Sequence, residues 1–233
     1  MKLLFENWRR YLLEREGSKA AAKQAKLDAF EADKLKFIDS LEQKLKDSVD
    51  WDELFAKLEQ LPTGKQAHSA RVGRHIATAT QDPDVIVGAL MHDYLERVCG
   101  RTLDCLDEFV PTLLTKDQKD IVLFLSSADD DVSKYAGDNE PLDHMKHVLA
   151  GLDNQDLKNK LVMIKIGDRV DNLNRRAGGH KPLTDKYLTK SRNLINFLRA
   201  NYRGNVGYVD GILSALHPIA REALFGGENE TPT

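Results

Sequence analysis

Three ionisable residues fall inside one apolar run. In "ALMHDYLERV" (89–98) His92 adjoins Asp93, and Glu96 follows three places later. Burying such groups is costly unless a partner or an ion offsets their lost hydration. Asp82 as N-cap, Pro83 in the first turn and Asp84 beside it predict a helix starting near residue 83 that carries all three. On that helix His92 and Glu96 are four apart, differ by about 40° around the axis, and share a face. A second apolar stretch, "LVMIKIGDRVDNL" (161–173), carries Lys165, Asp168 and Asn172 at i, i+3 and i+7, one polar stripe. His68 comes from a third helix, just after the Gly64 turn. Two imidazoles and two carboxylates suit a borderline divalent cation such as Mn²⁺, Fe²⁺, Zn²⁺ or Co²⁺. Such an ion would also neutralise the buried acids. Each motif alone has a plainer reading, His92–Asp93 as a core hydrogen-bonded pair and Asp168–Arg169 as an ion pair. Their joint occurrence favours a site.

The elements that must position these residues are read as helices. Apolar residues at helical spacing predict helices at about 51–61, 65–80, 83–98, 104–114, 117–127, 140–151, 156–176, 183–201 and 206–224. No strand alternation, internal repeat or low-complexity tract stands out, so the body reads as all-α. "SADDDVSKYAGDNEP" is a polar loop, and "AGGHKP" (177–182) a breaker cluster. Residues 1–48 differ in composition, rich in Lys, Glu, Ala and Leu. They read as an N-terminal extension of two amphipathic helices split at Gly17–Ser18, laid on the body or forming an arm that meets a partner. The body spans 49–225, and 226–233 reads as a disordered tail.

The bulk numbers bound the function. The chain has 233 residues, 41% of them apolar, enough for one domain with a core. Charged residues are 30% with a net charge of -3, which removes the electrostatic argument for a general nucleic-acid binder. The charged N-terminus lacks a signal-peptide core, and no apolar run approaches the roughly 20 residues of a membrane span. The two cysteines, Cys99 and Cys105, read as reduced and inert. A cytoplasmic protein with a small-molecule ligand, and neither nucleic acid nor membrane as partner, is the expectation. Its oligomeric state stays open.

The pattern of His68, His92–Asp93 and Asp168 resembles that of the HD-domain metal-dependent phosphohydrolases. Within them the chain is most similar to the hydrolase domain of the RelA/SpoT alarmone enzymes, and in size to its single-domain members, which include the metazoan SpoT homologue. "ALMHDYLERV" resembles that family's "ALLHDVVEDT". "CGRTLDCLDEF" resembles its "T-x-x-T-L-x-x-I-x-x-x-F", and "IKIGDRVDNLNRR" its "KLADRLHNMR". The resemblance spans roughly residues 52–222. It implies an all-α HD-domain helical bundle. It implies that His68, His92, Asp93 and Asp168 bind a metal, with Mn²⁺ the usual ion. It implies that Glu96 activates the attacking water and that Asn172, Lys165 and Arg169 meet the substrate. The implied reaction releases pyrophosphate from the ribose 3′ position of guanosine tetra- or pentaphosphate, (p)ppGpp. Lys65, just before His68, is a candidate phosphate contact.

Two features depart from that family. Arg97 stands where the family has a second acid after Glu96; it accepts no proton but could contact a phosphate. "LEQLPTGKQAHSA" replaces the stretch that shapes the family's nucleobase pocket, without its base-stacking arginine. The alternatives are therefore an HD-class 5′-nucleotidase, whose "H-D-x-x-E" pattern is met by "HDYLE", another nucleotide phosphohydrolase including an NADPH 2′-phosphatase, or a non-catalytic nucleotide sensor. In "DHMKH", His144 and His147 read first as a solvated helix face and second as part of the site. His75 reads as a surface residue or a neighbour of the ligands. His180 and His217 carry no assigned role, and Trp8 and Trp51 read as packing anchors.

Overall fold

Helices account for most of the computed structural model, which describes residues 2–100, 105, 113–126 and 140–226, with side chains from residue 15 onward. Among the described residues there is no strand, and the fold is all-α. The helices are α1 (Lys2–Asp39), α2 (Gln43–Lys46), α3 (Trp51–Leu58), α4 (Thr63–Ala77), α5 (Pro83–Met91) and α6 (Tyr94–Arg97). They continue with α7 (Lys116–Leu125), α8 (Glu140–Gly151), α9 (Gln155–Ala177), α10 (Asp185–Asn201), α11 (Val206–Ser214) and α12 (Pro218–Phe225). No helix of the described residues is long and apolar enough to cross a membrane.

Caps mark most starts. Asp50 accepts from the Glu53 amide, Asp82 from Asp84, Asn154 from Leu157 and Thr184 from Tyr187. Thr115 and Gln118 form a reciprocal capping box. Helix α5 is buried from Val85 to Met91 and forms the centre of the bundle. Its first turn is tied down by Lys160 of α9, whose Nζ lies 3.0 Å from Asp84, 3.2 Å from Asp156 and 3.9 Å from Asp82. Gln118 of α7 donates to the same Asp84 carboxylate.

Four expectations are corrected. Gly17–Ser18 does not split the N-terminal segment; α1 runs through it. Helix formers flank the pair, and one interior glycine costs only about 1 kcal/mol. The segment 206–224 is two helices, because the His217 ring accepts from the Ile219 amide and Pro218 opens a new first turn. Cys99 and Cys105 are not free but form a disulfide, their Cα atoms 5.3 Å apart. Gly100, at φ 59°, turns the chain between them. The fourth, the break at His92–Asp93, belongs to the site. The predicted helix at 104–114, the loop "SADDDVSKYAGDNEP", the tail and the Trp8 side chain lie outside the described residues, save for a few positions at their edges.

Residues 15–29 of α1 are exposed except for half-buried Leu27. From Phe30 on, the helix joins the core: Phe30 and Phe37 of α1, Leu41 in the turn after it and Leu45 of α2 belong to the same buried cluster as Trp51 and Phe55. The Phe37 ring meets Trp51 and Phe55 edge-on at 5.4 and 5.7 Å.

One three-helix contact is packed over a glycine. A Cβ on Gly88 of α5 would sit 2.5 Å from Ile121 of α7 and 3.0 Å from Ile164 of α9. Gly88→Ala should therefore cost about 1–3 kcal/mol in urea denaturation through overpacking at the three-helix contact. A loss under a few tenths would show that the contact is loose.

Candidate metal centre

The site is built where α4, the end of α5 and α9 meet. Helix α5 stops at Met91, and His92 and Asp93 form a turn before α6. This corrects the expectation of one helix carrying His92, Asp93 and Glu96 on a common face. The reason is local. An uninterrupted helix would give the Ala89 carbonyl to the Asp93 amide; here His92 Nδ1 lies 2.7 Å from that carbonyl oxygen. The ring substitutes for the backbone, and the turn aims both side chains at α4 and α9.

Both histidines are held the same way. His92 Nδ1 donates to Ala89, and His68 Nδ1 lies 2.6 Å from Asp171 Oδ2 of α9. An ionised carboxylate only accepts, so that proton sits on Nδ1. The two Nε2 atoms are buried and lack a hydrogen-bond partner among the described residues. Both point at Asp168 Oδ1, which is 3.2 Å from His68 Nε2 and 3.9 Å from His92 Nε2. Asp93 Oδ2 approaches from the side, 3.8 and 3.6 Å from the same two nitrogens.

Two of these distances, 3.2 and 3.6 Å, match those between ligands of one ion, and the other two, 3.8 and 3.9 Å, lie just beyond. Metal bonds to histidine nitrogen and carboxylate oxygen of about 2.0–2.2 Å place neighbouring ligand atoms roughly 3–3.6 Å apart. His68, His92 and Asp168 offer ligand atoms all within 4.8 Å of one another. Two buried nitrogens without partners are otherwise expensive. An Nδ1 anchored to a carbonyl or carboxylate is the usual support of a metal-binding histidine.

The charges of the site are held by lysines. Lys65 Nζ lies 2.6 Å from Asp93 Oδ2, and Lys165 Nζ 3.6 Å from Asp168 Oδ2. Asn172 donates to Asp168 Oδ1 at 2.6 Å. Burial alone would raise the Asp168 carboxyl, but Lys165, His68 and His92 outweigh it and hold it well below the usual range. Asp93 is lowered likewise, burial being outweighed by His92, Lys65 and His68. His92 is lowered, chiefly by burial. His68 goes the other way: burial opposes its charge, but Asp168 and Asp171 together push it up to about 9.

The structure thus brings together His68, His92, Asp93, Asp168, Lys65, Lys165 and Asn172. Arg169 points elsewhere, its guanidinium 5.4 Å from the centre of the Tyr187 ring of α10. Arg97 is exposed and Glu96 half-buried on α6. His144 of α8 is half-buried, in the fields of Lys165 and Glu96. His75 is buried, its Nε2 3.9 Å from Asp171 Oδ1. His180 is exposed, and His217 serves as the cap of α12. Asp171 and Arg71 escaped the sequence reading. The signal for them was there: Asp171 is three residues after Asp168, and Arg71 three after His68, on facing helices. Comparison with family models, curated proteins and solved structures returns no match.

Two outcomes test the site. Co²⁺ or Mn²⁺ titrated by calorimetry into chelator-stripped protein should bind at one site, and His92→Ala should abolish it. At 100 times Kd the ion should stabilise the fold by about 2.7 kcal/mol relative to chelator. The second concerns His144, whose pKa falls to about 4, mainly through burial and then the charge of Lys165. The unfolded chain, with an ordinary value near 6.5, binds more protons between those limits. Stability should therefore fall as pH drops from about 6.5 to 4, and His144→Gln should flatten that part of the urea-midpoint profile. Superimposable profiles would remove His144 from the buried wall.

Proposed function

We propose that this protein is a metal-dependent phosphohydrolase of the HD type, a (p)ppGpp 3′-pyrophosphohydrolase using Mn²⁺. The observation that carries the proposal is the convergence of two anchored histidines, their free Nε2 atoms and two carboxylates beside two lysines and an amide. It agrees with the motif resemblance, which names the nucleotide.

His68, His92, Asp93 and Asp168 would hold the ion. When bound, a divalent ion supplies Lewis acidity toward a phosphoryl group and neutralises its charge. Lys65 and Lys165 hold the two acids in its absence and are free to turn to phosphoryl oxygens once those acids have another partner. Asn172 fixes Asp168 and offers its amide at the rim. Glu96 accepts a proton from the attacking water as the bond between phosphorus and the ribose 3′ oxygen breaks. That oxygen leaves with a proton, giving GDP or GTP and pyrophosphate. Arg97, exposed next to Glu96, is a candidate contact for a distal phosphate.

Arg97 also favours a second reading, a nucleotidase that needs only the "H-D-x-x-E" set. A turnover screen separates the two. Mn²⁺-loaded protein is offered ppGpp, pppGpp, NADPH and nucleoside and deoxynucleoside phosphates, with products resolved by anion exchange. GDP or GTP plus pyrophosphate is expected. Cleavage of monophosphates alone would move the protein to the nucleotidase class, and tight binding without turnover to a sensor. Glu96→Gln should retain the ion and lose roughly 10²–10⁴-fold in rate; an unchanged rate would remove Glu96 as the base.

A further inference from the structure

Helix α1 reaches the candidate centre through an unbroken chain of charged groups. Asp33 lies on the buried stripe of α1, between Phe30 and Phe37 at i, i+3 and i+7, where a core helix would ordinarily place an apolar residue. Its Oδ2 accepts from Arg71 Nη1 of α4 at 2.9 Å. The other side of the same guanidinium grips Asp171 of α9, with Nε 2.7 Å from Oδ1 and Nη2 3.2 Å from Oδ2. That Oδ2 is the acceptor of His68 Nδ1 at 2.6 Å. The side chains of His68 and Asp171 are each only 1% exposed.

The Arg71 fork is rigid and planar, so one carboxylate fixes how it presents itself to the other. Asp171 shares its Oδ2 between His68 and Arg71, so the plane of Arg71 sets the direction from which His68 is held. Without the Asp33 carboxylate, one arm of the half-buried guanidinium loses its charged partner, and only Asp171 then fixes the fork.

We propose that Asp33 is a positioning residue of the metal centre, acting through Arg71 and Asp171 on the orientation of His68, so that α1 is coupled to metal occupancy. This rests on the metal reading above. The coupling is reciprocal: whatever α1 contributes to ion affinity, the ion contributes to the docking of α1.

The test uses the full chain, with Co²⁺ as probe. Asp33→Asn keeps the volume and one acceptor, and the melting curve in chelator checks that it folds. Expected are a Co²⁺ affinity weaker by roughly 3–10-fold, below the roughly 10–100-fold typical of residues that touch metal ligands directly because Asp33 acts at one remove, and a changed visible Co²⁺ spectrum. Asp33→Glu should restore part of both. In an Asp171→Asn background, Asp33→Asn should add nothing, because its path is already cut. Arg71→Lys keeps the charge but cannot span both carboxylates, and reads the same link if Asp33→Asn unfolds. Amide exchange of residues 27–39 should slow when Co²⁺ binds to the wild type. Wild-type affinity and spectrum in both Asp33→Asn and Arg71→Lys, or full additivity with Asp171→Asn, would overturn the inference while leaving the centre standing. Absence of Co²⁺ binding by the wild type would instead remove the metal reading and this inference together.

Discussion

Asp171 is the hinge of the architecture. Its carboxylate is almost wholly withdrawn from water, and a buried charge is tolerated only with partners on every side. His68 and Arg71 supply them from α4, one turn apart. Burial would raise its pKa, but hydrogen bonding by His68, then His75 and Arg71, drives it far below the usual carboxylate range. It therefore stays ionised, accepts from His68 Nδ1, and turns His68 Nε2 toward Asp168. The contact of α4 with α9 and the direction of the histidine are thus one problem with one solution. Gly167 of α9 permits it, since a Cβ there would already sit 3.0 Å from Ile76 of α4.

The second half of the centre depends on a helix that stops. Helix α5 is apolar and buried from Val85 to Met91, so nothing in its surface pattern marks its end. The His92 ring takes over a carbonyl of the last turn, and the chain then bends so that His92 and Asp93 face the same point. A straight helix would have separated their directions by about 100°. The bend also moves Glu96 onto α6, a short helix of its own. Its relation to His92 is set by that turn and not by a shared helical face.

Charge at the centre is balanced before any ion enters. Lys65 sits on Asp93 and Lys165 near Asp168, and His68 carries a proton between two aspartates. The Lys65 side chain is 31% exposed against 12% for Asp93 and 1% for His68, which places its cation at the rim with the imidazole below it.

Helix content and most boundaries were legible in the sequence, as were the residues His68, His92, Asp93 and Asp168 that the fold brings together. Capping residues and apolar spacing are local signals, and local hydrogen bonding decides them. Asp82 with Pro83 announced α5, and the stripe Lys165–Asp168–Asn172 announced the face of α9 turned toward His68 and His92. What lay beyond the sequence was every relation between elements distant along the chain. Asp171 reads as one more charge on a helix until α4 is laid against it, and Arg71 as a surface cation until Asp33 arrives from α1. Arg169 shares the motif of Asp168 yet turns to Tyr187, because adjacent residues on a helix point about 100° apart. The sequence determined which groups were available and on which helices. Only the packing decided which of them share a buried volume, because the cost of burying each charge is set by partners that lie some 30 to 100 residues away.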